Sequence, residues 1–380
     1  MKRILLVIDQ IRTGGAEKIL LDFRQYLQSN GYDVEVFTMY YSCSKYNYGC
    51  KNNAHNIIFK FFQQIYVYIK LRLYVRRQQP DSIFSFLDRS NVIVSLLPAK
   101  YKRCLSVHNV LSVQYEKVSP LLLKFVKRLI ASVYNRRCNI IIAVSLQVKN
   151  DLVENFAIKR DIIKVITNCT NKSYITQKAL EQIDEIRLEK DCKYLLNIGR
   201  LSTQKAQWKL LKSLKYLKDN YTECNIRLII LGEGELRDPL ILLSHKLGLS
   251  DMVSILPFNC NPFKFIKSVD LFVLPSIFEG CPIVLSEVIA LETPFVGSQR
   301  AVPIELFSDN MDAWKNITFC NKNHIPDFSD SILSDDIELA ELIKKHLFDN
   351  SSVNSVTGCM NWNRFNDKKH QFDSYLQLLR

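Results

Sequence analysis

The sequence predicts an α/β protein made of two doubly wound parallel-sheet domains, on three observations. Short apolar runs of strand length alternate with amphipathic stretches of helical length. The alternation breaks off in a polar, charged stretch at 170–192 and then restarts. The 380 residues, 47% hydrophobic and 23% charged, suit a pair of domains with ordinary cores and exclude a disordered chain.

The first strand is the run Ile4 to Ile8, and the turn Thr13-Gly14-Gly15 follows it. A helix begins at Ala16 and runs to about Leu27, with apolar residues at 19, 20, 23 and 27 and Gly31 as its stop. Val34 to Phe37 is the second strand. Further strands are expected at 82–86, 103–107, 139–144 and 163–166, with Ala143-Val144-Ser145 leading into a helix that ends near Phe156. The stretch 170–192 reads as a connection between domains, with a weak helical pattern at 178–187. Strands then fall at 193–198, 226–231, 253–256, 270–274 and 294–297, and helices at 205–217, 235–247, 261–267 and 282–291. Residues 320–335 have no clear pattern, and 364–379 is helical. The expected division is a first domain at 1–172, a second at 173–363 and a final helix at 364–380.

No apolar run reaches the ~18 residues needed to cross a bilayer. The N-terminus opens like a signal peptide, but Asp9 and Arg12 cut its apolar stretch short and no small-residue cleavage site follows. The expectation is a protein that stays in the cytoplasm. Its eleven Cys form no C-x-x-C pair and are odd in number, which suits reduced thiols. The sequons at Asn168, Asn171 and Asn316 carry no meaning in a chain that is not secreted.

The net charge of +13 is unevenly placed. Residues 1–150 hold 23 Lys and Arg against 8 Asp and Glu, so the positive excess lies in the first half. Such asymmetry implies a polyanionic partner: a nucleic acid, an anionic membrane surface or a phosphorylated substrate. No zinc-finger or RNP-like aromatic motif supports nucleic acid. Residues 57–77, dense in aromatics and ending in Arg76 and Arg77, read as a sheet-packing helix with a solvated basic face in preference to one lying on an anionic membrane. Residues 120–137 mix Lys124, Lys127 and Arg128 with Leu121, Leu122, Phe125 and Leu129, and suit either a packing helix or one lying on an anionic membrane.

Several features suit a site for a phosphorylated ligand. Gly199-Arg200-Leu201-Ser202-Thr203-Gln204-Lys205 follows a strand and leads into a helix, so two cations lie where doubly wound sheets bind ligands. Phe278-Glu279-Gly280-Cys281-Pro282-Ile283 puts a carboxylate in the turn before a helix whose first N–H groups suit a phosphate, with Pro282 as first helical residue and Glu287 further along. Two carboxylates eight residues apart can accept different hydroxyls of one ligand. Gly232-Glu233-Gly234 is a tight strand-to-helix turn, and Pro257-Phe258-Asn259-Cys260 a loop after a strand. Gly14 and Gly15 allow close backbone approach after the first strand, and His108 ends another strand at its ligand edge. No strict D-x-D and no Cys/His set with zinc spacing occurs, so no metal site is expected.

Taken in order, these motifs resemble family 4 of the glycosyltransferases, retaining enzymes of the GT-B fold. The likeness also rests on Pro80-Asp81-Ser82-Ile83, Val107-His108-Asn109, Asn168 and Val269-Asp270-Leu271-Phe272-Val273-Leu274-Pro275-Ser276, with Glu279 and Glu287 as its most specific part. The resemblance implies two Rossmann-like domains facing a central cleft, with a nucleotide-sugar donor on the second and the acceptor on the first. It implies that Arg200 and Lys205 neutralise the donor diphosphate, Glu287 holds the ribose, and Glu279 holds the transferred sugar beside Gly280 and Cys281. It further implies that His108 lies near the reacting carbon and that Gly14 and Gly15 admit the phosphates. Gly234, Phe258, Pro282 and Ile283 join the implied donor contacts.

The implied activity is metal-independent, retaining transfer of a hexose or N-acetylhexosamine from a UDP-sugar, with no cofactor. The implied acceptor is a lipid-linked oligosaccharide or lipopolysaccharide, reached by peripheral contact of the basic first domain with the inner face of the cytoplasmic membrane. Nucleic acid is not an expected partner. The alternatives are GDP-mannose-dependent transfer, a sugar-nucleotide epimerase of the same fold, and a catalytically silent scaffold. Two departures stand out: Ala206 follows Lys205 where the family has Gly, and 298–304 replaces a Gly-rich loop, with only Glu305 after it matching.

Overall fold

The strand signals resolve, in a computed structural model, into two six-stranded sheets whose pairings are all parallel. The structure describes residues 2–11, 14–40, 57–116, 118–137, 140–221, 225–303, 318–319, 326–348 and 368–378. Two compact units share the chain: Met1–Thr167 with Lys369–Arg380, and Asn168–Lys368.

The sheet of the first unit runs β2-β1-β3-β4-β5-β6, from β1 (Arg3–Ile8), β2 (Asp33–Thr38), β3 (Ser82–Phe86), β4 (Lys102–Val107), β5 (Ile140–Ala143) and β6 (Ile163–Val165). β1 past Arg3 and all of β3 are buried on both sides because helices cover both faces of a parallel sheet. The helices are α1 (Gly15–Ser29), α2 (Ile57–Gln78), α3 (Asp88–Ser95), α4 (Leu111–Gln114), α5 (Pro120–Arg137) and α6 (Leu146–Phe156). Helix α1 buries Ile19, Leu20, Phe23 and Leu27, and Gly31 turns the chain at φ +78°. Ser145 caps α6 by accepting from the Val148 N–H at 3.2 Å. The last helix, Lys368–Gln377, packs Phe372 and Tyr375 on Phe23, with ring centroids 5.3 and 5.1 Å away.

Helix α2 differs from the reading of a helix with a plain basic outer face. It buries Val67, Leu71 and Val75, yet Phe62, Ile65, Tyr66, Ile69 and Leu73 lie exposed. One stripe suffices to cover the sheet, so the remaining apolar residues at i, i+3, i+4 and i+7 spacing face outward. Helix α5 similarly exposes Leu121, Leu122, Phe125 and Leu129.

The second unit opens with α7 (Lys172–Lys178), and its sheet runs β12-β11-β10-β7-β8-β9. The strands are β7 (Lys193–Ile198), β8 (Ile226–Leu231), β9 (Val253–Leu256), β10 (Leu271–Leu274), β11 (Phe295–Ser298) and β12 (Thr318–Phe319). The other helices are α8 (Gln207–Asn220), α9 (Arg237–Lys246), α10 (Phe263–Ser268), α11 (Ile283–Ala290) and α12 (Ser334–Phe348).

The helical pattern expected at 178–187 is corrected: the helix is α7, where Asn171 caps by accepting from the Tyr174 N–H and Ile175 enters the core. The residues after α7 are not helical, because Ile183, Ile186 and Leu188 pack on that core from turns. Residues 168–172, placed with the first domain on sequence, pack with the second unit through Asn168. Helix α12 had no sequence signal. It docks on α8, where Lys209, almost fully buried, meets Asp335 at 3.3 Å and Lys212 meets Asp327.

Candidate functional site

In the second unit the chain passes from β7 to β8 on one side and reaches β10 on the other. Loops after β7 and β10 therefore leave to opposite faces, and the crevice at the strands' carboxyl ends is where such sheets take ligands. The ladder shows the crevice opening. β7 pairs with β10 only at Leu195–Leu271 and Leu196–Phe272. Beyond that, β7 continues with β8 and β10 with β11. Asn197 spans the first step of the gap, donating from Nδ2 to the Val273 carbonyl at 2.8 Å.

The loop after β7 carries Arg200 and Lys205. Backbone bonds clamp it to the end of β8 and the turn that follows: Gly199 N to Leu231 O at 3.0 Å, Leu201 N to Glu233 O at 2.9 Å and Leu236 N to Leu201 O at 3.0 Å. The approach is close enough to require glycine on the turn. A Cβ on Gly234 would lie 2.2 Å from the Leu201 carbonyl oxygen, and one on Gly232 1.9 Å from that of Gly199. The structure thus gives Gly234 a packing duty against the cation loop. Ala206 takes the left-handed conformation at φ 51°, ψ 38° that glycine adopts freely, so the loop keeps a glycine shape at a cost of about 1 kcal/mol.

The loop after β10 carries Glu279, and the two loops meet. Lys205 Nζ lies 2.5 Å from Glu279 Oε1. Gln204 donates from Nε2 to the Phe278 carbonyl at 3.0 Å and to Glu279 Oε2 at 3.4 Å, and its own carbonyl accepts from Ile277 N at 2.8 Å. Both members of the ion pair are largely buried, with side chains 19% and 8% exposed. An ammonium has three protons and a carboxylate about four acceptor positions. The bonded pair therefore retains capacity for a phosphate oxygen on one side and sugar hydroxyls on the other.

Helix α11 starts at Ile283, with Pro282 at the N-cap one position earlier than expected, and aims its positive end at the same edge. Asn168 donates from Nδ2 to the Cys281 carbonyl at 2.8 Å and pins the turn that contains Gly280. Glu287 is buried on α11. Arg200 and Phe258 are exposed at the loops after β7 and β9. Ala301 and Val302, in the stretch that replaces the family's Gly-rich loop, are core residues, and Glu305 lies outside the described residues.

The same topology in the first unit marks β1 and β3. Asp9, just past β1, accepts from Ser90 N at 3.0 Å and Ser90 Oγ at 2.8 Å. Asp88 opens α3 just past β3 and is buried. Burial lifts its carboxyl to about 7, against a hydrogen bond from Gln114 and the Arg89 charge, while the Asp9 charge adds to the rise. Burial also raises Asp9.

His108, at the end of β4, lies 2.9 Å from Ser106 Oγ through Nε2 and stacks on Phe86 at 5.8 Å. Burial lowers it to about 4, so the imidazole is neutral near pH 7. Gly14 is the N-cap of α1, and a Cβ there would fall 2.3 Å from the Glu17 carboxylate; Gly15 opens the helix. Sequence reasoning missed Asp9 and Asp88, although each lies within two residues of the end of a strand that flanks the crossover. Among the described residues no set of three His, Cys, Asp or Glu side chains converges as metal ligands would.

A family model described as glycosyl transferases group 1 matches residues 179–346, and one described as glycosyltransferase family 4 matches 13–174. A Campylobacter jejuni relative is 28% identical over 321 residues, covering 82% of this chain and 84% of its own; it is named N-acetylgalactosamine-N,N'-diacetylbacillosaminyl-diphospho-undecaprenol 4-alpha-N-acetylgalactosaminyltransferase. The O-antigen chain mannosyltransferase of Salmonella typhimurium is 26% identical over 216 residues, 56% of each chain. Among solved structures, WaaG, a glycosyltransferase involved in lipopolysaccharide biosynthesis, superimposes with a TM-score of 0.71 at 14% identity, covering 99% of this chain and 98% of its own. Anabaena HepE in complex with UDP and glucose does so at 0.68 and 17%, covering 100% and 99%.

Proposed function

The chain belongs to the group 1 glycosyltransferases of family 4 and has their GT-B fold, and from that premise we propose a metal-independent, retaining transferase that uses a UDP-sugar. The transferred group is a hexose or N-acetylhexosamine, and the acceptor is a lipid-linked oligosaccharide or lipopolysaccharide. The observation that carries this reading is the meeting of Lys205, Gln204 and Glu279 at the β7/β10 crevice, with Arg200 exposed on the same loop.

Breaking the glycosidic bond builds negative charge on the leaving diphosphate. In this reading Arg200, Lys205 and the start of α11 supply positive charge to the diphosphate, and groups held by the fold need little reorganisation as the bond breaks. Glu279 accepts hydroxyls of the transferred sugar, and Glu287 accepts those of the ribose. The acceptor hydroxyl attacks the same face that the phosphate leaves, and a donor phosphate oxygen takes its proton, so no protein nucleophile is required. Neutral His108 and the carboxyls of Asp9 and Asp88 are offered to the acceptor side in the first unit.

The C. jejuni relative's name supports an N-acetylhexosamine and a lipid diphosphate acceptor, and the UDP complex of HepE supports uridine. GDP-mannose is the second reading, favoured by the similarity to the S. typhimurium mannosyltransferase. Release of UDP or GDP from a panel of donors, with undecaprenyl-diphosphate-linked sugars as acceptors, separates the two. Release from no donor would leave the silent scaffold.

Peripheral attachment to the inner face of the cytoplasmic membrane belongs to the same reading. No helix among the described residues is long and apolar enough to cross a membrane. The outward apolar residues of α2 and α5 lie among Lys70, Arg72, Arg76, Lys124, Lys127 and Arg128, the pattern of helices that lie in an anionic interface. Sedimentation with vesicles containing anionic phospholipid at low salt, and none with neutral vesicles, is expected; equal binding to both refutes the electrostatic part.

A further inference from the structure

Gln207, on the first turn of α8, is fully buried. Its neighbours Ala206, Trp208, Leu210 and Leu211 belong to one apolar core cluster, so packing alone favours an apolar residue here. Its Oε1 has no hydrogen-bond partner among the described residues, and a desolvated acceptor left unsatisfied is costly. What the amide does is visible at Nε2, which lies 3.1 Å from the Arg200 carbonyl and 3.3 Å from Asn197 Oδ1. Asn197 in turn holds the Val273 carbonyl of β10, just where β7 and β10 part.

A buried relay of two amides therefore runs beneath the crevice, from the strand that leads to Glu279 to the backbone of the residue that carries the exposed cation. We propose that Gln207 is a positioning residue for donor binding, whose amide, steadied by Asn197, fixes the Arg200 backbone so that the guanidinium meets the donor diphosphate. Backbone bonds hold Gly199 from Leu231 at the end of β8, and Leu201 from Glu233 and Leu236 in the turn that follows. Arg200 lies between, and Gln207 is what grips its own carbonyl. Lys205 has a separate anchor in Glu279, so the effect falls on Arg200.

The inference rests on the proposed donor site, and a double-mutant cycle with Arg200→Ala tests both separately. The probe is UDP, or GDP if the wild type selects it, with affinity from titration calorimetry and folding from the melting temperature. Gln207→Leu keeps the volume and removes the amide. It is expected to weaken nucleotide binding about tenfold, the order of one hydrogen bond lost from a positioned group, with the melting temperature unchanged or raised. In the Arg200→Ala background the same change is expected to alter affinity less than twofold.

A tenfold loss that persists in that background would mean general damage and overturn the inference, as would wild-type affinity in Gln207→Leu. Should Gln207→Leu not fold, Gln207→Asn, one methylene short of the Arg200 carbonyl, serves in the same cycle with the same outcomes. If Arg200→Ala itself binds nucleotide like the wild type, the donor reading of this loop fails and the inference with it. If Arg200→Ala weakens binding and Gln207→Leu does not, only the inference fails.

Discussion

Replacing Asp88 by Asn should stabilise the protein at pH 8 and leave it unchanged at pH 4. The carboxyl is buried at the start of α3, faced by Asp9 from β1, Arg89 on its own helix, and Gln114 and Tyr115 from the segment after β4. Its folded value of about 7 lies above the ordinary 3.8. The folded state therefore binds the proton more tightly, so this group's stabilisation is complete below pH 4 and is lost as pH rises through 7. The full span is worth about 4 kcal/mol, at roughly 1.4 kcal/mol per tenfold change in proton affinity. Relaxation and partial hydration of a buried charge reduce that to about 2 kcal/mol. For a domain of this size, about 2 kcal/mol corresponds to roughly 4–8 °C in melting temperature.

The assay is the melting temperature of wild type and Asp88→Asn from pH 4 to pH 8.5. The difference should grow from near zero to several degrees, with its midpoint between the two pKa values. Transfer to acceptor should fall at least tenfold in the same variant, because an amide offers one acceptor oxygen and no charge where a carboxylate offers two oxygens to hydroxyls. A melting difference that does not vary with pH would refute the burial argument. Wild-type transfer would refute the acceptor role.

Other outcomes follow from the same geometry. Gly234→Ala places a Cβ against the Leu201 backbone; it should cost about 1–3 kcal/mol in denaturant unfolding and, by moving the Arg200 loop, roughly a hundredfold in kcat/KM. Gly31→Ala meets open space at φ +78°, so it should cost about 1 kcal/mol and leave transfer intact. Asp327→Ala removes the carboxylate from the buried Lys212 ammonium and leaves it the Ser331 carbonyl; it should destabilise the second unit by about 3 kcal/mol in urea melts. Phe372→Ala removes the rings' contact with Phe23; it should cost about 3–5 kcal/mol and speed amide exchange throughout 368–377.

The strands β1 to β11 were legible because parallel strands covered on both faces are continuous apolar runs, and their bounds fall within a residue or two of the pattern, whereas the two-residue β12 was too short to leave one. Helix α12 was not legible, since Asp335 and Asp336 look like surface charges until Lys209 is seen to be buried against them. Lys209 and Lys212 concealed themselves in the same way, as cations on a helix whose polar face turns inward. The motif residues Arg200, Lys205 and Glu279 were visible because a strand-to-helix turn is where such groups gather.

What the sequence did not disclose is that Lys205 and Glu279 bond each other, a contact between residues 74 apart that only the sheet order creates. Asp9, Asp88, Asn197 and Gln207 were missed for a related reason. A single Asp after a strand resembles a turn residue, and an amide at a helix start resembles a solvated one. Ala206 was visible as a departure, but its left-handed backbone shows that the loop kept its shape without the glycine.

The most direct test of the account is nucleotide binding at the β7/β10 crevice. Melting temperatures with UDP, GDP, ADP and TDP, with and without Mg²⁺, should be compared for wild type, Arg200→Ala and Glu287→Ala. The account predicts stabilisation by UDP, about 2.7 kcal/mol at a hundred times its dissociation constant, the same without Mg²⁺ and lost in both variants. Stabilisation by none of the four nucleotides, or stabilisation that survives both substitutions, would contradict it.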